Sequence, residues 1–284
     1  MKLVLLTLSL LPFLKGFCST DQDLFIPRQW SKEVHRNYLL QREQFIEEVA
    51  LQMKDKTPFR SLLKKIGLWR RKIAFQSDEE HATKFGCLRT KGLNSLFSHL
   101  CLGCSDSVFT RAHRILDQTP DYYDPFWDGY KLFKMRYCQF YGDIDKEKIP
   151  LTRIAHLQTK VTEEFGEFFN FWGPDPDKAL VWVHAETKYL EKILGYLDAV
   201  YQNILNAPKE DILSKLARWN WWYTQATPFY RGSAAIGEIF VLGVLKANNI
   251  PLKIKHKLLL DVEGLLEPNV ELYILRYPEF FEVI

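Results

Sequence analysis

Residues Thr227-Pro228-Phe229-Tyr230-Arg231-Gly232-Ser233-Ala234-Ala235-Ile236-Gly237-Glu238 stand between two helical stretches and decide how the C-terminal half folds. Before them, Asp211 opens an amphipathic segment that runs through Leu213, Leu216, Trp219, Trp222 and Tyr223 to about Ala226. After them an apolar helix continues from Ile239 to Lys246, and Asn248-Asn249-Ile250-Pro251 stops it. The order is helix, tight turn, helix. Gly232 permits positive φ in the turn, and the small Ser233, Ala234 and Ala235 leave the first amides of the second helix uncovered. Such amides, with the helix dipole behind them, favour an anion, and Arg231 beside them carries a fork suited to phosphate or carboxylate. A plainer use is also open. Small residues let helices pack closely, and an arginine can cap a neighbouring helix C-terminus.

Helical periodicity extends outward from this turn. A long helix is expected from about Asp177 to Leu205, with Tyr189, Leu190, Ile193, Leu194, Leu197, Val200 and Ile204 as its buried stripe. Thr152 to Trp172 is amphipathic, and Gly173-Pro-Asp-Pro-Asp177 ends it. Nearer the N-terminus, Ser31 with Glu33 opens a helix through Leu39, Phe45, Val49 and Met53, and Thr57-Pro58 restarts one through Leu62, Leu63, Ile66 and Trp69. Ser105 or Asp106 caps a further segment, and Asp121 to Gly129 reads as an irregular loop. Gly142 to Pro150 has the composition of a linker and marks a boundary between helical regions 20–150 and 151–284. Alternating strand patterns are scarce, so the expected fold is mainly α, a helical bundle.

Composition narrows the class. At 284 residues and 47% hydrophobic, the chain fills one large domain or two small ones, and a net charge of +3 does not point to nucleic acid. Residues 1–19, with Lys2 before an apolar run from Leu3 to Leu14, have the form of a signal peptide, which implies export to the periplasm or beyond. No segment is long and apolar enough to span a bilayer. Cys87, Cys101, Cys104 and Cys138 would then meet an oxidising compartment, where disulfides, free packed thiols and a metal or redox Cys101-x-x-Cys104 are all open readings. Trp219, Trp221 and Trp222 cannot all face one side of a helix. Some belong to the core, and one beside Arg231 would line a groove. Hydrolase, zincin, P-loop and dinucleotide-binding signatures do not occur.

The turn resembles the signature of the Fic family, His-Pro-Phe-x-Asp/Glu-Gly-Asn-Gly-Arg-x-x-Arg. Pro228, Phe229 and Gly232 match in register, and the likeness covers about Asp177 to Leu252. It implies a Fic-like helix-loop-helix core in the C-terminal half and a nucleotide or other phosphate as ligand. Thr227 stands where the family has its basic His, and Arg231 where it has the carboxylate that holds magnesium, so no metal site is expected. Ser233, Ala234, Ala235 and Glu238 replace the remaining signature residues. The resemblance therefore implies a pseudoenzyme or effector-like binding protein. An active group transferase would need a base elsewhere, with His156, His184 and Glu186 the candidates, and Glu163, Glu164 and Glu167 as paired carboxylates. A third alternative is a structural, partner-binding helical protein. The expected ligand residues are Arg231, Gly232, Ser233, Ala234, Ala235 and Trp222. No catalytic residue is assigned, and the expected partner is a phosphate-bearing ligand or a protein.

Overall fold

The computed structural model describes residues 32–77, 79, 81–90, 98–101, 106–118, 121–123, 134–157 and 180–284. The expected signal peptide, Ser31, Cys104, Ser105 and the stretch 158–172, with Glu163, Glu164 and Glu167, lie outside these residues.

The described chain is mainly helical. Helix α1 (Lys32–Lys54) meets α2 (Phe59–Gln76) through stacked rings of Phe45 and Trp69, 4.8 Å apart. Pro58, extended at φ −55 and ψ 136, sits immediately before α2, where its missing N–H costs nothing. Helix α3 (Asp106–Leu116) follows the first strand, and α4 (Thr187–Leu205), α5 (Ile212–Ala226) and α6 (Ser233–Ala247) form the C-terminal body. Two short helices, α7 (Leu260–Leu265) and α8 (Val270–Arg276), close over α5, and Asn269 caps α8 by accepting from the amides of Glu271 and Leu272.

Helix α5 is central, and its last eight residues, Trp219 to Ala226, are all buried. A helix apolar on all sides has to be surrounded. Trp219 stacks on Phe240 of α6 at 3.7 Å, and the Trp221 indole N–H donates to the Glu267 carbonyl at 2.7 Å. Trp222 lies against Tyr196 of α4 at 4.8 Å. Helix α1 crosses α6 at Gly243, where a Cβ would come within 2.6 Å of Val49.

The sequence concealed a five-stranded antiparallel sheet, β1 (Ser98–Cys101), β2 (Asp121–Tyr123), β3 (Lys134–Ile144), β4 (Glu147–Leu157) and β5 (Leu180–Val183), in the order β1-β5-β4-β3-β2. The segment 142–150 is therefore no linker. Asp145 and Lys146, with φ of 52 and 66, make a two-residue hairpin turn between long strands. Thr152 to Leu157 is strand, and α4 begins only at Thr187, because the apolar run Leu180–Val183 pairs with β1 and β4. Asp121–Tyr123, expected as loop, is an edge strand. Phe140, Ile144, Ile149, Leu151 and Ile154 of the hairpin share one core with Leu190, Leu197, Trp219 and Phe240 of the helices. Each such burial contributes about 1.5–3 kcal/mol. A short antiparallel ladder, β6 (Leu252–Ile254) with β7 (Phe281–Val283), ends the chain. Among the described residues no helix is long and apolar enough to cross a membrane.

Candidate functional site

Helix α5 ends at Thr227, which turns left-handed at φ 41 and ψ 66 while its amide still bonds the Tyr223 carbonyl at 2.9 Å. A β-branched residue is strained there and persists only where its surroundings hold it. They do. The Thr227 hydroxyl donates to the Thr224 carbonyl at 2.8 Å, and the Thr152 hydroxyl of β4 donates to the Gln225 carbonyl at 2.9 Å. Both threonine oxygens also approach Nδ1 of buried His184, at 3.1 and 3.3 Å. Each hydroxyl has already given its single hydrogen, so Nδ1 must carry the proton and donate to them. Through Nδ1, His184 thus orients the two threonine hydroxyls. Glu186 is the N-cap residue of α4 and pairs with Lys188 at 2.8 Å, and His156 lies in β4, opposite Arg136 and Leu180.

A residue with no local signature completes this knot. Arg89 is 4% exposed; its Nε donates to the Thr227 carbonyl at 2.9 Å, and its Nη2 to Ala185 and Ala226 carbonyls at 2.7 and 2.6 Å. It caps the C-terminus of α5, where carbonyls lack intrahelical partners and a cation is favoured. Burial pushes the guanidinium down to about 10.

The segment 85–89 that carries Arg89 runs beside the turn. Arg89 N–H bonds the Pro228 carbonyl at 2.9 Å, Tyr230 N–H the Cys87 carbonyl at 2.9 Å, and Gly86 N–H the Arg231 carbonyl at 3.1 Å. Gly86, at φ 62, passes directly against the backbone of Gly67 on α2, and any Cβ there would collide. Arg71 holds the same segment from α2, donating to the Phe85 carbonyl and to Cys87 Sγ, both at 2.8 Å. Cys87 and Cys138 are free thiols, and burial raises the Cys138 pKa.

Past this clamp the turn opens into α6. Gly232 sits at φ 83, where a Cβ would press on Arg70 at 2.9 Å and Phe85 at 3.2 Å, so only glycine fits. The Ser233 hydroxyl closes on Phe229, accepting from its amide at 3.0 Å and donating to its carbonyl at 3.2 Å. The first helical bond of α6 runs from Ile236 N–H to Gly232 C=O at 3.0 Å. Among the described residues the amides of Ser233, Ala234 and Ala235 have no acceptor, and Gly232, Ser233 and Ala234 are half-buried rather than covered. Arg231 is half-buried beside them, its guanidinium 5.7 Å from the Phe85 ring centre. Arg70 lies 4.2 Å from the same ring and is gripped by Glu79 at 2.9 and 3.1 Å. Tyr230 contributes a buried hydroxyl with no hydrogen-bond partner among the described residues.

Two acidic groups sit further along. Glu238, on the second turn of α6, pairs with Arg42 of α1, and burial together with Glu238 pushes the Tyr38 hydroxyl up to about 12. The Asp261 carboxyl of α7 is pushed up to about 6 by burial, with Glu238 adding to the rise, and its Oδ1 has no partner among the described residues.

Arg231, Gly232, Ser233, Ala234 and Ala235 are therefore brought together, with the correction that Ser233 offers only its amide. Trp222 is not with them. It is 2% exposed beneath the β3–β4 hairpin, its ring filling the space above Gly142 where any side chain would clash. Among the described residues no three His, Cys, Asp or Glu gather as metal ligands would.

The class of protein so defined is a helical one with a clamped turn whose three helix-start amides have no acceptor among the described residues. The chain belongs to the avirulence protein family AvrB_AvrC, whose model matches residues 50–283. It is 27% identical to avirulence protein B of Pseudomonas savastanoi pv. glycinea over 123 residues, which is 42% of this chain. The match spans 37% of that relative's length. This membership corrects the Fic resemblance: the family that matches most of the chain is a different one. The three matching positions have a local explanation. Pro228 and Phe229 lie on the strip bonded to 87–89, and Gly232 is needed for positive φ at the start of α6. The family places the chain among effector-type proteins.

Proposed function

We propose that this effector-type protein binds a phosphate-bearing ligand at the N-terminus of α6 and acts through a protein partner, after export directed by residues 1–19. One observation carries the ligand: the adjacent amides of Ser233, Ala234 and Ala235 have no acceptor among the described residues, the first two lie on half-buried residues, and Arg231 precedes them in the same turn. Amides at a helix N-terminus and a guanidinium together supply charge-assisted hydrogen bonds to phosphate oxygens. The clamp by residues 85–89 fixes the turn in advance, which lowers the ordering cost of binding. A nucleotide fits this chemistry, and inorganic phosphate or pyrophosphate is its simplest form.

Binding without group transfer is favoured by the residue in the basic position of the turn: Thr227 spends its hydroxyl hydrogen on the Thr224 carbonyl. Calorimetric titration of the full-length chain with pyrophosphate and with ATP tests the proposal. Arg231→Ala is expected to weaken binding at least tenfold, about 1.4 kcal/mol, with little change in melting temperature. Absence of binding by any phosphate compound, or equal binding by the variant, contradicts it.

A further inference from the structure

At the opposite end of α6 the chain enters a second, unrelated surface. From Lys246 to Leu260 it carries four lysines and a histidine and no acidic residue. Lys246 is engaged with Glu47, and Lys253 with Glu282 at 3.2 Å. Lys255, His256 and Lys257 are exposed and, among the described residues, their side chains have no partner. These groups follow β6, which among the described residues pairs with β7 alone in a two-stranded ladder.

Among the described residues one edge of β6 is unpaired. Lys255 N–H bonds the Phe280 carbonyl at 2.9 Å and Ile284 N–H bonds the Pro251 carbonyl at 3.0 Å, so Pro251, Lys253 and Lys255 turn their backbone groups toward β7. In an antiparallel ladder the intervening residues face away. Ile254 therefore presents both its N–H and its C=O outward, and neither has a partner among the described residues. Lysines on such an edge repel ordinary strands. They do not repel a strand that brings carboxylates, and β7 shows this within the molecule, placing Glu282 opposite Lys253.

We infer that the free edge of β6 is a docking site for an extended acidic segment of a partner protein, added as a third strand. Side chains alternate along a strand, so the guest carries Asp or Glu at every second position, facing Lys253 and Lys255, with apolar residues between them. The Ile254 amide and carbonyl supply the central pair of main-chain bonds. The phosphate site proposed above plays no part in this inference.

A fluorescein-labelled peptide of alternating Glu and Val is the probe, measured by anisotropy against the full-length chain, with an alternating Lys and Val peptide as control. The acidic peptide is expected to bind with micromolar affinity and to weaken at least tenfold in Lys253→Glu/Lys255→Glu. Ile254→Pro removes an outward N–H and is expected to abolish binding. The charge-reversed pair keeps the test decisive if the proline variant does not fold. Hydrogen exchange at the Ile254 amide is expected to slow when peptide is bound. Binding unchanged by charge reversal, or unchanged exchange at Ile254, overturns the inference. So does an edge that ignores the peptide, whether these lysines instead bind phosphatidylserine vesicles or the chain merely self-associates with concentration.

Discussion

At the Thr227 end of the turn, hydroxyl and carbonyl are both spent on the chain itself; at the Ser233 end, six residues on, three amides have no acceptor among the described residues. The first end lies among Arg89, Thr152 and His184, all buried; at the second, Ser233 and Ala234 are half-buried and Ala235 is buried. One short loop thus separates polar groups bonded within the chain from those that the proposed ligand would meet. Satisfied buried groups rigidify a fold, whereas the first amides of a helix are left to other acceptors. The strain at Thr227 belongs to the closed end, which holds the geometry that the open end presents.

Changes at the closed end are expected to act on stability. Arg89→Met leaves the carbonyls of Ala185, Ala226 and Thr227 without their donor and should cost about 3–4 kcal/mol, read by urea unfolding. Gly86→Ala places a Cβ against Gly67 at positive φ and should cost about 2–3 kcal/mol in the same measurement. Loss smaller than 1 kcal/mol in both would mean that the clamp does not hold the turn. Thr227→Val keeps the shape but removes one hydroxyl, and about 1–2 kcal/mol is expected, with the His184 ring resonances shifted in NMR.

Asp261 sharpens the contrast through pH. Its carboxyl titrates at about 6 in the fold against an ordinary 3.8. The folded chain therefore holds the proton more tightly than the unfolded one. Stability present below the unfolded value is lost as pH rises from about 4 through about 6, an effect on the order of 3 kcal/mol. Asp261→Asn should flatten that slope in chemical unfolding curves, and an unchanged slope would assign it to another group.

Legibility in the sequence divides along a related line. Helices α1, α2, α3, α5 and α6 announce themselves because apolar spacing, Pro58 and Asp211 are local signals. The sheet does not. Its hairpin turns at Asp145-Lys146 rather than at a glycine, and a register shift between Gln139 and Tyr141 breaks the alternation. Leu180–Val183 is a continuous apolar run that period alone cannot tell from helix. In the site, the amides and Arg231 were legible because they are neighbours in sequence. Arg89 was not, since its partner Thr227 lies 138 residues away and nothing around it signals a cap. Trp222 illustrates the limit of composition: three tryptophans beside a turn suggest a groove, and packing around a central helix is what they serve.

The most direct test is a backbone amide spectrum of ¹⁵N-labelled protein titrated with pyrophosphate. The account predicts saturable shifts at Ser233, Ala234 and Ala235, lost in Arg231→Ala, with Thr227 and Arg89 amides unmoved. Shifts absent from these three amides, or confined to other parts of the chain, would contradict it.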